Sequence, residues 1–360
     1  MSRKLLLLVG TVKGVFIFES NESRTGWSLR GPYCEAWPIN HVIGDPASGT
    51  IYAGGGGTWF GPAVWKSSDL GESWTHSSEG LSYGEGEDPV KSVWSIAPAS
   101  GSLFAGVEPA GLFRSDDDGE SWIHVSALRD HPSRPDWMPG GGGLILHGML
   151  RHPEDADQLW VAISAAGLFH TADGGRSWTP RNKGIRNDYM PEGHQYPEVG
   201  HCVHSVVMAP GQPDRLYQQN HCGMYRSDDA GLNWENIGAG LPSTFGFPSA
   251  VHPRDPDTLF LLPLNGDVLG RYVPDGKAAV WRTRDGGKSW QDLRAGLPQQ
   301  NAFFAVLRQA MTIDRQDPAG IYFGTNSGTL FASNDEGDSW QAIAEHLPTI
   351  LSLETMTVDE

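Results

Sequence analysis

The chain has 360 residues, 46 glycines, 14 tryptophans and a formal net charge of -17. This charge excludes a nucleic-acid backbone or an anionic membrane as the main partner, because either would require a basic surface. Three cysteines without a CxxC pair argue against a disulfide framework or a zinc knuckle, so we expect a reducing compartment, the cytoplasm.

The N-terminal segment predicts three short strands. The apolar run from Leu5 to Val9 is followed by turn residues rather than by a cleavage site, and it is too short for a signal peptide. The segments GVFIFES and GWSLR follow it as the second and third strands. No stretch approaches the ~18 apolar residues of a membrane span.

One motif recurs six times along the rest of the chain. It reads Ser/Thr, any residue, Asp, any residue, Gly, any residue, Ser/Asn, Trp, and a seventh, degenerate copy ends at Trp27 with Glu22 and Arg24 in place of the acid and the glycine. From Trp27 onward the tryptophans lie 47, 48, 56, 56, 56 and 50 residues apart. The six complete copies end at Trp74, Trp122, Trp178, Trp234, Trp290 and Trp340.

The motif has the chemistry of a tight turn that closes a hairpin. An Asp side chain accepts hydrogen bonds from the amides of its own turn, Gly supplies a positive φ, and Trp buries a large ring between units. Two apolar strands precede each copy, such as QLWVA and GLFHT before Trp178. Each repeat therefore predicts one four-stranded unit.

These residues resemble the Asp-box (BNR) repeat of a propeller group that includes sialidases, xyloglucanases, sortilin-like receptors and photosystem II assembly factors. The resemblance implies an all-β fold, which we predict to be one seven-bladed β-propeller domain over residues 1–360. The last ten residues, LSLETMTVDE, are expected to add a fourth strand to the N-terminal three and so to close the ring.

The resemblance also implies that the boxes lie on one rim and that ligands use the opposite rim. Two long blade connections, residues 125–143 and 180–200, are expected there, and long loops in a compact domain are often functional. They contribute the candidate catalytic residues Tyr189 and Glu198. The candidate ligand-binding residues are Arg134, Trp137, Arg186 and Tyr196 from these loops, with Trp59, His41 and His221 from elsewhere.

Aligned inner strands predict a ring of side chains around the channel mouth. The equivalent positions are Asn40, Ser92, His147, His204, Phe247, Gln309 and Glu354. Cys202 and His204 share a strand face, and His221 lies in a neighbouring loop of the same unit. His147 and His204 are candidate catalytic residues. Together with His221 they form a candidate site for a divalent metal, Zn or Mn, and packing at a polar channel is the alternative.

The function remains divided between two classes. The first is an enzyme, a glycosyl hydrolase-like protein or a lyase, that acts on a carbohydrate or another small polar ligand. A typical sialidase is not expected, because the Phe/Tyr-Arg-Ile/Leu-Pro segment and an arginine cluster are absent from the sequence. The second is a non-catalytic scaffold whose rim binds a protein partner.

Overall fold

The computed structural model describes residues 3–99 and 101–359, and these residues form 28 strands. Strands β1 to β14 are Arg3–Thr11, Gly14–Asn21, Ser28–Tyr33, Ile39–Asp45, Thr50–Gly57, Gly61–Ser67, Thr75–Ser77, Ser92–Ala99, Ser102–Glu108, Gly111–Ser115, Ile123–His124, Leu146–Arg151, Leu159–Ile163 and Gly167–Thr171. Strands β15 to β28 are Thr179–Pro180, Val203–Ala209, Gln212–Asn220, Gly223–Ser227, Glu235–Asn236, Gly246–Val251, Leu259–Pro263, Val280–Thr283, Gln291–Leu293, Val306–Ile313, Ile321–Thr325, Leu330–Ser333, Gln341–Ala344 and Ile350–Asp359.

Helical structure is confined to short segments in the connections. One four-residue α-helix, α1, spans Ser126–Arg129. Single 3-10 turns span Cys34–Ala36, Arg134–Asp136, Asp267–Leu269 and Pro274–Gly276. Among the described residues no helix has both the length and the apolarity needed to cross a membrane.

The strands pair in antiparallel sets of four, so the predicted all-β class is confirmed. Strands β4 to β27 form six consecutive sets, and the strands of each set pair in chain order. Strands β1, β2 and β3 form the remaining set together with β28, which pairs with β1 in a register that places Leu6 opposite Met356. Strands from the two ends of the chain thus share one sheet.

The apolar core lies between neighbouring sheets. Strand β13, Leu159–Ile163, is buried at all five positions because sheets pack on both of its faces. From this set Trp160 packs with Val203, Leu216 and Trp234 of the next set. This packing explains the nearly continuous apolar runs of the second and third strands in each set.

The six complete motif copies form turns with one shared hydrogen-bond pattern. In the first copy Ser67 Oγ donates to Asp69 Oδ1 (2.8 Å), and Ser73 donates to Asp69 from both its amide (2.9 Å) and its hydroxyl (2.5 Å). The amide of Gly71, at φ +93°, donates to Ser67 Oγ (2.8 Å). We call the edge that carries these turns the box rim: residues 67–74, 115–122, 171–178, 227–234, 283–290 and 333–340.

The degenerate seventh copy has a different role. Arg24 replaces the glycine, adopts the same left-handed backbone (φ 54°), and extends its guanidinium to Asp314 in the connection between β24 and β25 (3.0 Å). Trp27 packs edge-on against Tyr322, with ring centroids 5.8 Å apart. The N-terminal set is therefore joined to the β24–β27 set by a buried ion pair.

The first strand of each set is its inner strand, and it runs toward the box rim. The inner strands therefore begin at the opposite edge, which we call the site rim. Polar side chains of these strands meet along the central axis: Asn40 Nδ2 donates to Ser92 Oγ (2.6 Å), and Gln309 Nε2 donates to the carbonyl of His147. Gln309 of β24 and Ser352 of β28 form a parallel bridge between two neighbouring inner strands.

Candidate functional site

The centre of the candidate site is a group of three side chains from one four-stranded set. His204 is the second residue of β16, and Cys202 lies just before that strand. His221 lies in the turn after β17, where its amide donates to the carbonyl of Cys202 (2.9 Å). The potential ligand atoms of the three residues lie within 4.8 Å of one another. We call this group the His-Cys cluster. The rings of His204 and His221 lie close together, with centroids 5.2 Å apart.

Hydrogen bonds orient both imidazoles of the His-Cys cluster. His204 Nδ1 lies 2.6 Å from the carbonyl oxygen of Gly246, an acceptor, so Nδ1 carries the proton and Nε2 carries the lone pair. His221 Nε2 lies 2.7 Å from the hydroxyl of Tyr189. Tyr189 is 71% exposed and forms the outer wall of the cluster.

Two arginines and two phenylalanines border the cluster. The guanidinium of Arg308, on β24, lies 5.1 Å from the ring centroid of Phe247 and within hydrogen-bonding reach of the Cys202 side chain. The guanidinium of Arg271 lies 5.6 Å from the ring of Phe245. These two rings also pack against His204, at centroid distances of 4.7 and 5.2 Å.

Arg308 lacks an acidic counterpart. Its Nε is buried without a hydrogen-bond partner, and no carboxylate of residues 3–99 and 101–359 forms an ion pair with it. Burial lowers its pKa. A cation in such a place is costly unless an anion joins it, so the geometry favours a negatively charged ligand at this point.

The buried histidines are neutral near pH 7. Burial, reinforced by the charge of Arg308, lowers the pKa of His147 to about 3 and that of His204 well below its usual value. A neutral imidazole with a fixed tautomer can accept a proton or bind a metal ion.

His147 lies beside the cluster but is not part of it. Its Nε2 is 2.9 Å from the carbonyl oxygen of Val203, the residue between Cys202 and His204. In the set of potential metal ligands Cys202 takes the place predicted for His147. His147 thus positions the backbone of the cluster.

The loop of residues 125–143 places its predicted residues in a packed environment. Trp137 is only 2% exposed and packs on Phe169 with ring centroids 4.9 Å apart, so the prediction that it faces a ligand does not fit its burial. The guanidinium of Arg134 lies 5.3 Å from the Trp137 ring. Leu128 and Trp137 of this loop belong to the core beneath the site rim.

The loop of residues 180–200 leaves most of its predicted residues exposed. Arg186 pairs with Asp188 (2.6 Å), and Tyr196 is 63% exposed. Glu198 is exposed, and its carbonyl oxygen accepts a hydrogen bond from Asn182 Nδ2 (3.0 Å). None of these contacts joins Arg186, Tyr196 or Glu198 to the His-Cys cluster.

Two predicted ligand-binding residues lie elsewhere on the ring. Trp59 is 94% exposed at the connection between β5 and β6. His41 Nδ1 accepts a hydrogen bond from the amide of Ile96 (3.0 Å), and burial lowers its pKa to about 4. His41 therefore links two neighbouring sheets, whereas Trp59 is available to a partner.

A large cavity opens at the box rim, not at the His-Cys cluster. It has a volume of about 1560 Å³ and is lined by hairpin turns around Pro46, Pro210 and Pro253, with Glu354 at its wall. Burial raises the pKa of Glu354 to about 7. We favour the His-Cys cluster as the site because several chemically competent groups converge there, whereas Glu354 faces a wide space lined mainly by turns.

Sequence analysis did not select Arg308, Arg271 or Phe245. Arg308 gave one usable signal: it is a charged residue within an inner strand, next to the channel position Gln309. Arg271 lies in a loop outside the regular strands, so an alignment of the repeats assigns it no equivalent position.

No family model matches the chain. Among curated proteins, an oligoxyloglucan-reducing end-specific xyloglucanase of Emericella nidulans is 25% identical over 211 residues, which cover 56% of this chain and 24% of the relative. The photosystem II assembly lipoprotein Ycf48 of Synechococcus sp. is 24% identical over 214 residues, covering 52% and 59%. The chain thus spans about a quarter of the length of this xyloglucanase.

Solved structures support the fold. An ancestral GH74 enzyme superimposes with a TM-score of 0.59 at 18% identity, covering 85% of this chain and 38% of the other. Ycf48 bound to a D1 peptide gives a TM-score of 0.56 at 14% identity, covering 85% and 82%. At these identities the likeness establishes a β-propeller fold and nothing about activity.

Proposed function

We propose that this β-propeller is an enzyme that binds and transforms a small anionic ligand of the carbohydrate type at the His-Cys cluster. The observation that carries the proposal is the guanidinium of Arg308, which is half-buried, has no carboxylate partner within the described chain and lies beside Cys202 and His204. The xyloglucanase relative supports a carbohydrate as the ligand class. The proposal takes the seven strand sets as seven blades of one closed domain, an interpretation supported by the β1–β28 pairing.

The neighbouring residues fit a ligand with a carboxylate and an apolar face. Arg308 would pair with the carboxylate, and the rings of Phe245 and Phe247 would pack against the sugar. Proton transfer would fall to the Tyr189 hydroxyl, which is hydrogen-bonded to His221. No hydrogen bond or ion pair joins a described carboxylate to His204 or Arg308. This favours imidazole or metal chemistry over the two-carboxylate mechanism of most glycosidases.

A matched pair of ligands tests the anion site. We expect calorimetry to show that methyl β-D-glucuronide binds at least ~10-fold more tightly than methyl β-D-glucoside, which corresponds to about 1.4 kcal/mol. Glucose 6-phosphate distinguishes a phosphate site from a carboxylate site. Mass spectrometry of the ligand after incubation detects turnover, and tight binding without any product would contradict the enzymatic part of the proposal.

Variants of two arginines on the site rim provide the control. Arg308→Gln should remove the preference for the glucuronide and leave the fold intact, because it deletes a half-buried charge that lacks an ion pair. Arg186→Gln removes an exposed arginine that pairs with Asp188 and should leave the preference unchanged. Equal binding of the two glycosides by the unmodified protein, or a preference that survives Arg308→Gln, would overturn the assignment.

A second candidate function is the binding of a protein or peptide by the site rim. Large apolar side chains are exposed in its connections: Trp59 (94%), Met138 (72%), Tyr196 (63%) and Phe303 (67%). Exposed aromatic residues of this kind are typical of interface hot spots, and the structural neighbour Ycf48 is bound to a peptide. Selection from a displayed peptide library should enrich binders that Trp59→Ser and Phe303→Ser weaken, whereas no enrichment would exclude this function.

A further inference from the structure

We infer that Cys202, His204 and His221 form a binding site for one zinc ion, with a fourth position that faces the ligand held by Arg308. This inference deepens the proposed function, and its assignment of the open position rests on that proposal. The ligand set itself is argued from the cluster alone. It differs from the set expected from the sequence, in which His147 stood in the place of Cys202.

The chemistry of the donors selects the metal. A thiolate and two imidazoles suit Zn²⁺, whereas Mn²⁺, Mg²⁺ and Ca²⁺ prefer oxygen ligands. Three protein ligands with an open fourth position are the arrangement of catalytic zinc sites. Binding would release the thiol proton of Cys202 to solvent, while both imidazoles would bind in their neutral form.

The hydrogen bonds around the cluster are those of a prepared metal site. The His204 Nδ1–H donates to the carbonyl of Gly246 (2.6 Å), which directs Nε2 toward the cluster. With Nε2 of His221 donating to the Tyr189 hydroxyl (2.7 Å), Nδ1 would be its metal-binding atom. Metal-binding histidines usually donate their second N–H to a carbonyl or a similar acceptor, which fixes the tautomer and the ring orientation.

The distances require only a small contraction. The potential ligand atoms lie within 4.8 Å of one another. Tetrahedral zinc with the usual Zn–S and Zn–N bond lengths needs separations of about 3.5 Å, so the cluster would close by roughly 1 Å. Rotation of the Cys202 and His221 side chains can supply this, because both are only partly buried.

Charge balance links the metal to the anion. Zinc and Arg308 would together contribute three positive charges, of which the Cys202 thiolate cancels one. A carboxylate at the open position would cancel a second, so zinc and the anionic ligand should increase each other's affinity by the same factor. Arg308 thereby makes the open position selective for an anion.

Metal binding to the whole protein tests the inference without reference to activity. After dialysis against EDTA, titration with zinc in the presence of a chromophoric chelator should give one equivalent of tightly bound metal. Cobalt in its place should show a thiolate-to-cobalt charge-transfer band. Absence of a stoichiometric equivalent, or a cobalt spectrum without this band, would overturn the assignment.

Variants then identify the ligands. Cys202→Ala, His204→Gln and His221→Gln should each weaken zinc binding by roughly 100-fold or more, and Tyr189→Phe by about 10-fold, as expected for an outer partner. Cys222→Ala and the exposed His194→Gln are the matched controls and should bind zinc as the unmodified protein does. Unchanged affinity in Cys202→Ala would refute the ligand set. Circular dichroism checks that each variant folds. If a variant does not fold, the cobalt spectrum of the unmodified protein still tests for the thiolate ligand.

The same measurements separate this inference from the proposed function. Zinc bound through the three residues without any binding of methyl β-D-glucuronide would support the metal site and overturn the proposed ligand. Glucuronide binding that depends on Arg308 in a protein that takes up no zinc would support the proposed ligand and overturn the metal site. If zinc and the glucuronide both bind, an equal increase of each affinity by the other ligand supports a shared site. Independent binding of the two would contradict the open fourth position on the zinc.

Discussion

The box rim and the site rim are built on opposite principles. On the box rim, six turns repeat one hydrogen-bond pattern, and each aspartate, such as Asp69, is satisfied by its own turn. On the site rim, residues from different strand sets meet once each, and the half-buried cation Arg308 lacks a carboxylate partner in the described chain. The comparison teaches that the repeat provides the ring, whereas the chemistry depends on side chains that the repeat does not specify.

The sharpest break in the regularity of the box rim is the ion pair between Arg24 and Asp314. Both side chains are buried, 6% and 1% exposed, and Asp314 also accepts hydrogen bonds from the Tyr322 hydroxyl (2.9 Å) and the Gly320 amide (2.8 Å). Asp314→Asn leaves the guanidinium buried without its counter-charge. We expect the free energy of unfolding in urea to fall by about 3–5 kcal/mol.

An exposed pair offers the control for this first prediction. Asp317→Asn removes the partner of Arg254 in a pair whose side chains are 41% and 86% exposed, and it should cost less than about 1 kcal/mol. Glucuronide binding should be unchanged in both variants, because they lie on the box rim. Equal destabilisation by the two substitutions would mean that the Arg24–Asp314 pair does not secure the contact between the N-terminal and β24–β27 sets.

The buried histidines of the site rim give the second prediction, which concerns pH. The pKa of His147 is lowered to about 3 in the folded protein by burial and by Arg308, whereas in the unfolded chain it is near 6.5. Between these values the unfolded chain binds more protons. The contribution of His147 to stability is therefore complete above pH 6.5 and decreases as the pH falls from 6.5 toward 3.

The expected slope is about 1.4 kcal/mol per pH unit for each such histidine. Between pH 6 and pH 4, the unfolding free energy of His147→Gln should therefore change less steeply with pH than that of the unmodified protein, by about 1.4 kcal/mol per pH unit. The measurement is urea unfolding in the presence of EDTA, and the exposed His194→Gln is the control. If His147→Gln and His194→Gln had the same slope, His147 would not be held neutral by the fold.

The difference between the rims also explains what the sequence could predict. The box turns are local, since Ser67, Asp69 and Ser73 lie within seven residues, so the motif alone specifies their contacts. The approach of His204 to His221 was also accessible, because paired strands of one set hold both residues. Arg308 lies about a hundred residues further along, and nothing in the repeat says that its side chain turns toward Cys202.

The burial of Trp137 was not accessible from the sequence of its loop. The ring is 2% exposed because it packs on Phe169 of β14, with centroids 4.9 Å apart. A non-local contact of this kind leaves no signal in the loop itself.

The smallest expected effect comes from removing a single box. Hydrogen bonds from the side chain and the amide of Ser73 lower the pKa of Asp69 to about 2. A carboxyl group with a depressed pKa contributes stability that is present above its unfolded pKa, near 3.9, and is lost as the pH falls toward 2. Asp69→Asn should therefore lower Tm by a few degrees at most at pH 7, and the difference should disappear near pH 2.

Hydrogen exchange distinguishes a local effect from a global one. Because Asp69 bonds only within its own turn, faster exchange should be confined to the amides of residues 67–75 and should not reach the next box. Asp116→Asn, which removes the partner of Arg114 at a position outside the box pattern, should leave exchange at residues 67–75 unchanged. If Asp69→Asn made exchange faster in several strand sets, the boxes would stabilise one another. The box rim would then not be modular, and its contrast with the site rim would be lost.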